Sequence, residues 1–148
     1  MKPEIPLLEI ESLGYNIERA LSALIKCLNI ELKRYNLNVQ HSQFSALRVI
    51  SLKDGLSQAE LSKILGKNPA AISRSLDYLE EKGYISRMAE NGWKNKIFLT
   101  EHGRKIIPVI NEIANKVIEK VLNGITRGEK EEALKVLTKI YHNSLSIC

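Results

Sequence analysis

Cysteine is scarce in this 148-residue chain: Cys27 and Cys148 lie far apart, with no Cys-x-x-Cys pair and no zinc-like spacing. That excludes a disulfide framework and a structural zinc site. Aromatic residues make up only 5%, which weighs against an all-β sandwich. No apolar run approaches the ~20 residues of a membrane span. The opening Met1-Lys2-Pro3-Glu4-Ile5-Pro6 lacks a signal-peptide layout, so a cytoplasmic location is expected. The three histidines, His41, His102 and His142, are scattered. There is no G-x-G-x-x-G, P-loop, H-E-x-x-H or G-x-S-x-G. The chain therefore reads as a non-enzyme, with no catalytic residue, cofactor or metal site expected.

What is present is an ordinary globular composition, 44% hydrophobic and 26% charged, with a formal net charge of +5. Ile17, Leu21, Leu24, Ile25, Leu28 and Leu32 recur at spacings of three and four, which predicts one long helix over the first 37 residues. Pro3 and Pro6 mark an extended or frayed start. Asn38 is placed to cap a second helix running to about Leu52, with Phe44, Leu47 and Ile50 inward. Gly55 supplies a left-handed stop.

Two short helices follow. Ser57 and Glu60 make a capping box, in which each side chain satisfies the other's free amide. Leu61, Ile64 and Leu65 form the first helix's apolar face, and Gly66 ends it. Asn68 caps the next, with Pro69 at a position where no amide is missed. Its inward residues are Ile72, Leu76 and Leu79, and it ends at Gly83. The period then changes: Tyr84–Glu90 and Trp93–Leu99 flank Asn91-Gly92, a strong hairpin signal. Thr100 caps a long helix carrying Ile106, Ile107, Ile110, Ile113, Val117, Val121 and Leu122, with Pro108 placed to bend it and Gly124 to end it. Thr126 and Glu129 form a second capping box for a final helix, with Leu134, Leu137, Ile140 and Tyr141 inward.

The fold expected is mainly α: a winged helix-turn-helix with helical dimerisation elements. The helix-turn-helix occupies 57–83 and the wing 84–99, within a DNA-binding region 39–105. Residues 1–38 and 106–148 supply dimerisation helices, whose apolar stripes exceed what the small winged domain can cover. With Ile72, Leu76 and Leu79 buried, the second short helix turns Ala70, Arg74, Asp77 and Glu81 outward. Small or basic residues come first and acids later, as a helix entering a major groove by its N-terminus requires. Ala70 or Ala71 suits a thymine methyl, Arg74 suits guanine O6 and N7, and Ser73 suits a phosphate or base. An Arg74–Asp77 surface pair and a local cap by Ser73 are the structural alternatives.

Charge distribution points the same way. Residues 57–105 hold nine Lys and Arg against six acids, whereas residues 1–38 hold five of each. A two-residue Asn91-Gly92 turn would set Arg87 opposite Lys96 and Ala89 opposite Lys94. Like charges so paired repel, and a phosphate lying over them would relieve this. Trp93 would fall at the wing tip, packed on Glu90, with a place against the DNA sugar edge as the alternative. Gln58, Lys67, Asn68, Ala70, Ala71, Ser73, Arg74, Arg87, Lys94 and Lys96 form the candidate DNA-contacting set. A dimer would place two recognition helices about one turn of duplex apart, roughly 34–36 Å, and so read a palindrome.

Several segments carry a family resemblance: Leu56-Ser57-Gln58-Ala59-Glu60-Leu61-Ser62, Ala71-Ile72-Ser73-Arg74, Leu79-Glu80-Glu81-Lys82-Gly83-Tyr84-Ile85 and Leu99-Thr100-Glu101-His102-Gly103-Arg104. In this order they resemble the multiple-antibiotic-resistance-regulator (MarR) family of transcription factors over nearly the whole chain. The resemblance implies a homodimeric winged-helix protein that dimerises through its terminal helices. It implies repression, less often activation, of nearby genes. In many members a small phenolic or anionic effector, bound between the dimerisation and DNA-binding regions, releases the DNA.

The family's wing carries an Asp-x-Arg or Asp-Arg-Arg signature; here the wing is shorter and the region reads Asn91-Gly92-Trp93-Lys94-Asn95-Lys96. Lysine, a point charge, stands in for a planar fork. One family branch senses oxidants through a first-helix cysteine. Cys27 lies in that helix, and its position on or near the apolar stripe reads as a small buried hydrophobe. An oxidation sensor acting through Cys27 and a winged-helix protein-interaction module without DNA binding are the alternative functions.

Overall fold

The computed structural model describes residues 12–90 and 94–148. The readings attached to Pro3, Pro6, Asn91, Gly92 and Trp93 lie outside the described residues, as does the side chain of Lys94. The elements run α1 (Leu13–Arg34), α2 (His41–Leu52), β1 (Leu56–Ser57), α3 (Gln58–Leu65), α4 (Pro69–Glu81), β2 (Ile85–Glu90), β3 (Lys94–Leu99), α5 (Glu101–Val121) and α6 (Arg127–Ile147). The fold is mainly helical, with one antiparallel sheet in the order β1-β3-β2. The chain forms two compact units, one reaching to Val117 and one spanning Ile118–Cys148. No helix among the described residues is long and apolar enough to cross a membrane.

The helix starts obey the local chemistry. Ser57 Oγ accepts from the Glu60 amide at 3.2 Å while the Glu60 carboxylate accepts from the Ser57 amide at 3.0 Å. Thr126 and Glu129 repeat the arrangement at 3.1 and 2.8 Å. Thr100 Oγ1 accepts from the Gly103 amide at 3.0 Å. One expected cap differs: α2 begins after Gln40, whose amide donates to the Gln43 side chain at 2.7 Å. Asn38 lies two residues too early, and its carbonyl accepts from the Tyr78 hydroxyl instead.

The core of the first unit joins Leu28 and Leu32 of α1, Phe44, Leu47 and Ile50 of α2, Leu61, Ile72, Leu76 and Leu79 of the two short helices, and Ile110, Ile113 and Val117 of α5. The sheet adds Leu56, Ile85, Ile97 and Leu99. β1 was not foreseen, because two residues show no alternation; Leu56 pairs with Ile97 and is wholly buried. Gly103 makes the tightest backbone approach. A Cβ there would lie 2.0 Å from the Tyr84 carbonyl oxygen, which accepts from the Thr100 amide at 3.1 Å. Only glycine lets α5 start against the backbone that leads into β2.

Several inward assignments are corrected. Cys27 is exposed, one residue off the Leu28–Leu32 line. On a helix one residue is a turn of about 100°, enough to leave the stripe. Leu21 and Ile64 are exposed for the same reason: the core is narrower than the apolar arc of their helices. Val121 is exposed too, and Leu134, Leu137 and Tyr141 are exposed on α6, which buries no residue.

Candidate nucleic-acid interface

The helix-turn-helix is built from the turn outward. Gly66 takes φ +60 and closes α3 in the left-handed region. Ser62, buried, donates its hydroxyl to the Lys67 carbonyl at 2.9 Å, and the Lys67 amide returns a bond to the Ser62 carbonyl at 3.1 Å. Asn68 Oδ1 then accepts from the Ala70 amide at 2.7 Å, with Pro69 in the first turn. The turn is thus fixed on both sides before α4 begins.

Ile72, Leu76 and Leu79 anchor α4 to the core. Its other side presents Asn68, Ala70, Arg74 and Asp77 to solvent, with Ala71 and Ser73 half-buried beside them. Arg74 makes no ion pair among the described residues, so the Arg74–Asp77 alternative is not realised. Lys67 is exposed at the turn, and Gln58 is half-buried at the first position of α3.

The wing departs from expectation. Its register is Ile85↔Leu99, Arg87↔Ile97, Met88↔Lys96 and Glu90↔Lys94. Arg87 therefore does not face Lys96, and the repulsive pair does not exist. The core explains the register. Directly opposite residues share a face, and this pairing puts buried Ile85 opposite buried Leu99. A slip of one would set Ile85 opposite Phe98 and mix the two faces. Burial outweighs the Asn-Gly preference for a two-residue turn.

Arg87 consequently points toward α4. Its side chain is 16% exposed and meets Asp77 Oδ1 at 2.6 Å through Nη2. Nη2 also reaches Glu80 Oε1 at 3.1 Å, while Nε and the Arg87 amide both donate to Glu80 Oε2 at 3.2 Å. These bonds hold the Glu80 carboxyl below its usual range, the Arg87 hydrogen bond being the largest cause. Lys96 is half-buried on the opposite face of the sheet.

Behind α4 lies a cleft of about 530 Å³ that the sequence did not reveal. Ile25 and Asn29 of α1, His41 of α2, Lys67, and Ala71 and Ser75 of α4 line it. Asn29 Oδ1 accepts from the His41 amide at 2.8 Å, joining α1 to the start of α2. The His41 imidazole is held below its ordinary pKa, first by burial and then by the charges of Lys67 and Arg48. Four helices, α1 to α4, and the connections carrying Gln40 and Lys67 compose the cleft, so no local motif announces it.

Residues 35–92 match the profile of the MarR family. The match takes in both short helices and the first wing strand. Solved MarR-family structures extend the likeness to nearly the whole chain. A MarR transcriptional regulator from Methanosarcina mazei Go1 shares 24% identity over 92% of this chain and 91% of its own, with a TM-score of 0.81. The transcriptional repressor CouR, solved on a 23-mer DNA duplex, shares 22% over 94% and 99%, also at 0.81. A MarR-family protein of Mycobacterium tuberculosis, solved with salicylic acid, shares 25% over 95% and 99%, at 0.69. The MarR fold accordingly covers the terminal helices as well as the winged region.

Proposed function

We propose that this protein is a homodimeric, sequence-specific double-stranded-DNA-binding regulator of transcription, acting as a repressor on a palindromic operator. The observation that carries the reading is the N-terminal half of α4. It is capped by Asn68, lined by Ala70 and Ala71, and tipped by an exposed Arg74 with no ion-pair partner among the described residues. Small side chains admit the helix to a major groove, and a guanidinium without a protein partner is available to a guanine edge. Lys67, Asn68 and Ser73 flank it as phosphate or base contacts, with Gln58, Lys94 and Lys96 as outlying members of the set. The DNA complex of CouR, a protein of this fold, supports the assignment.

In this reading residues 39–105 read DNA, and 1–38 and 106–148 join two copies. Exposed Leu134, Leu137, Tyr141 and Leu145 on α6 support the second part, since a helix with such a surface is stabilised by covering it. A small-molecule effector is the remaining element. The salicylic acid complex of the related M. tuberculosis protein supports it, and the cleft behind α4 is its proposed seat.

Selection of duplexes from a random pool, followed by binding measurements across a salt series, tests this. Wild type should enrich a palindrome and bind it with a steep fall in affinity as salt rises. Arg74→Ala should lose about 1–3 kcal/mol of discrimination at one base pair of each half-site. Enrichment of no duplex would leave the protein-interaction reading in its place.

A further inference from the structure

We propose that Arg87 is a positioning residue for DNA binding: it locks the wing strand β2 to the recognition helix α4 through Asp77 and Glu80, and is not itself a phosphate contact. The inference rests on the DNA-binding reading above. A basic residue on a wing is ordinarily assigned to the nucleic acid, but the geometry assigns this one inward.

The register places Arg87 opposite Ile97 and two residues from Ile85, both buried, so its side chain shares their face of the sheet. There the guanidinium takes both oxygens of Glu80, through Nε at 3.2 Å and Nη2 at 3.1 Å, a fork matched to a carboxylate. Nη2 also holds Asp77 at 2.6 Å. The amide of Arg87 adds a fourth bond, to Glu80 Oε2. Two carboxylates one helical turn apart thus converge on one cation from the neighbouring strand.

A guanidinium with that coordination and 16% exposure offers a phosphate little unless the lock opens. Closed, the lock fixes how β2 lies against α4. Arg74 on α4 and Lys96 of β3 then meet DNA on one rigid frame, with no ordering of β2 required on binding.

The test exploits an opposition of sign. Asp77→Asn with Glu80→Gln removes two negative charges beside the recognition face and frees Arg87. If Arg87 contacts phosphate, this double variant binds DNA more tightly than wild type. If Arg87 positions the wing, it binds more weakly despite its more positive charge. On a duplex enriched by wild type from a random pool, both Arg87→Ala and the double variant should lose about tenfold in affinity. The triple variant should be no worse than either, since one interaction cannot be lost twice. Without DNA, amide exchange over Ile85–Met88 should quicken in all three. The slope of log affinity against log salt should match wild type.

Tighter binding by the double variant overturns the proposal. So does a slope lowered by about 0.9 in Arg87→Ala with β2 exchange unchanged, the mark of one lost phosphate contact. Arg87→Lys keeps the charge without the fork and should fall between; it also serves if Arg87→Ala fails to fold. A wild-type protein that enriches no duplex overturns the DNA-binding reading itself. Unchanged variant affinity beside a binding wild type overturns only the role of Arg87.

Discussion

The winged region and the final helix are written in the same alphabet of apolar spacing, yet one closes a core and the other does not. Leu47, Ile50, Leu61, Leu76 and Leu79 are wholly buried in the first unit. On α6 no residue is buried, and Leu137 and Tyr141 stand 47% and 59% exposed. Periodicity declares that a helix has a side to cover; it does not say whether the cover comes from the same chain. A region completed by its own contacts is read from one copy; α6, which buries no residue, is not.

The sharpest way to break the contrast is at Gly103, where the first unit is packed most tightly. Gly103→Ala drives a Cβ into the Tyr84 carbonyl. It should destabilise the protein by about 3 kcal/mol, the upper end of overpacking costs. Urea unfolding followed by circular dichroism measures it, and a loss below about 1 kcal/mol would mean that this backbone yields easily.

Next in size comes the opposite manipulation. Leu137→Glu with Tyr141→Glu should leave the urea midpoint of the monomeric winged region nearly unchanged. It should weaken self-association by about 100-fold, roughly 2.7 kcal/mol. Sedimentation equilibrium reads this, and a wild type that is monomeric at micromolar concentration sinks the dimer.

The smallest effect lies in the cleft. His41 has its pKa lowered, chiefly by burial, so the folded state favours the neutral imidazole. Its contribution is fully present above the ordinary value of about 6.5 and erodes as pH falls through and below it. Unfolding free energy measured at pH 7.5 and 5.5 should drop more in wild type than in His41→Gln. Equal drops would show that the cleft imposes no cost on the cation.

The residues divide by what their signals depend on. Ser57 with Glu60, Asn68-Pro69, Thr100 and Thr126 with Glu129 all declared themselves, because a cap is satisfied within four residues. Ile72, Leu76 and Leu79 did so because a helix has one period. The wing's register did not: it follows from which face Ile85 and Leu99 must bury, and Asn91-Gly92 carries only a local preference. Arg87 was misplaced with it, since its partners Asp77 and Glu80 belong to another element. Cys27 failed by a single position on a helix whose core contact is narrow. The candidate reading helix was therefore legible almost residue by residue, whereas the wing and the cleft behind α4 depended on distant pairings.

The Tyr78 hydroxyl donates to the Asn38 carbonyl. This bond ties α4 to the short loop between α1 and α2, forty positions upstream. The loop thus shares with the core contacts of Ile72, Leu76 and Leu79 in fixing where α4 sits. Under the proposed function, a change in the length of residues 35–40 should alter the seat of α4 while leaving Asn68, Ala70 and Arg74 unchanged along it.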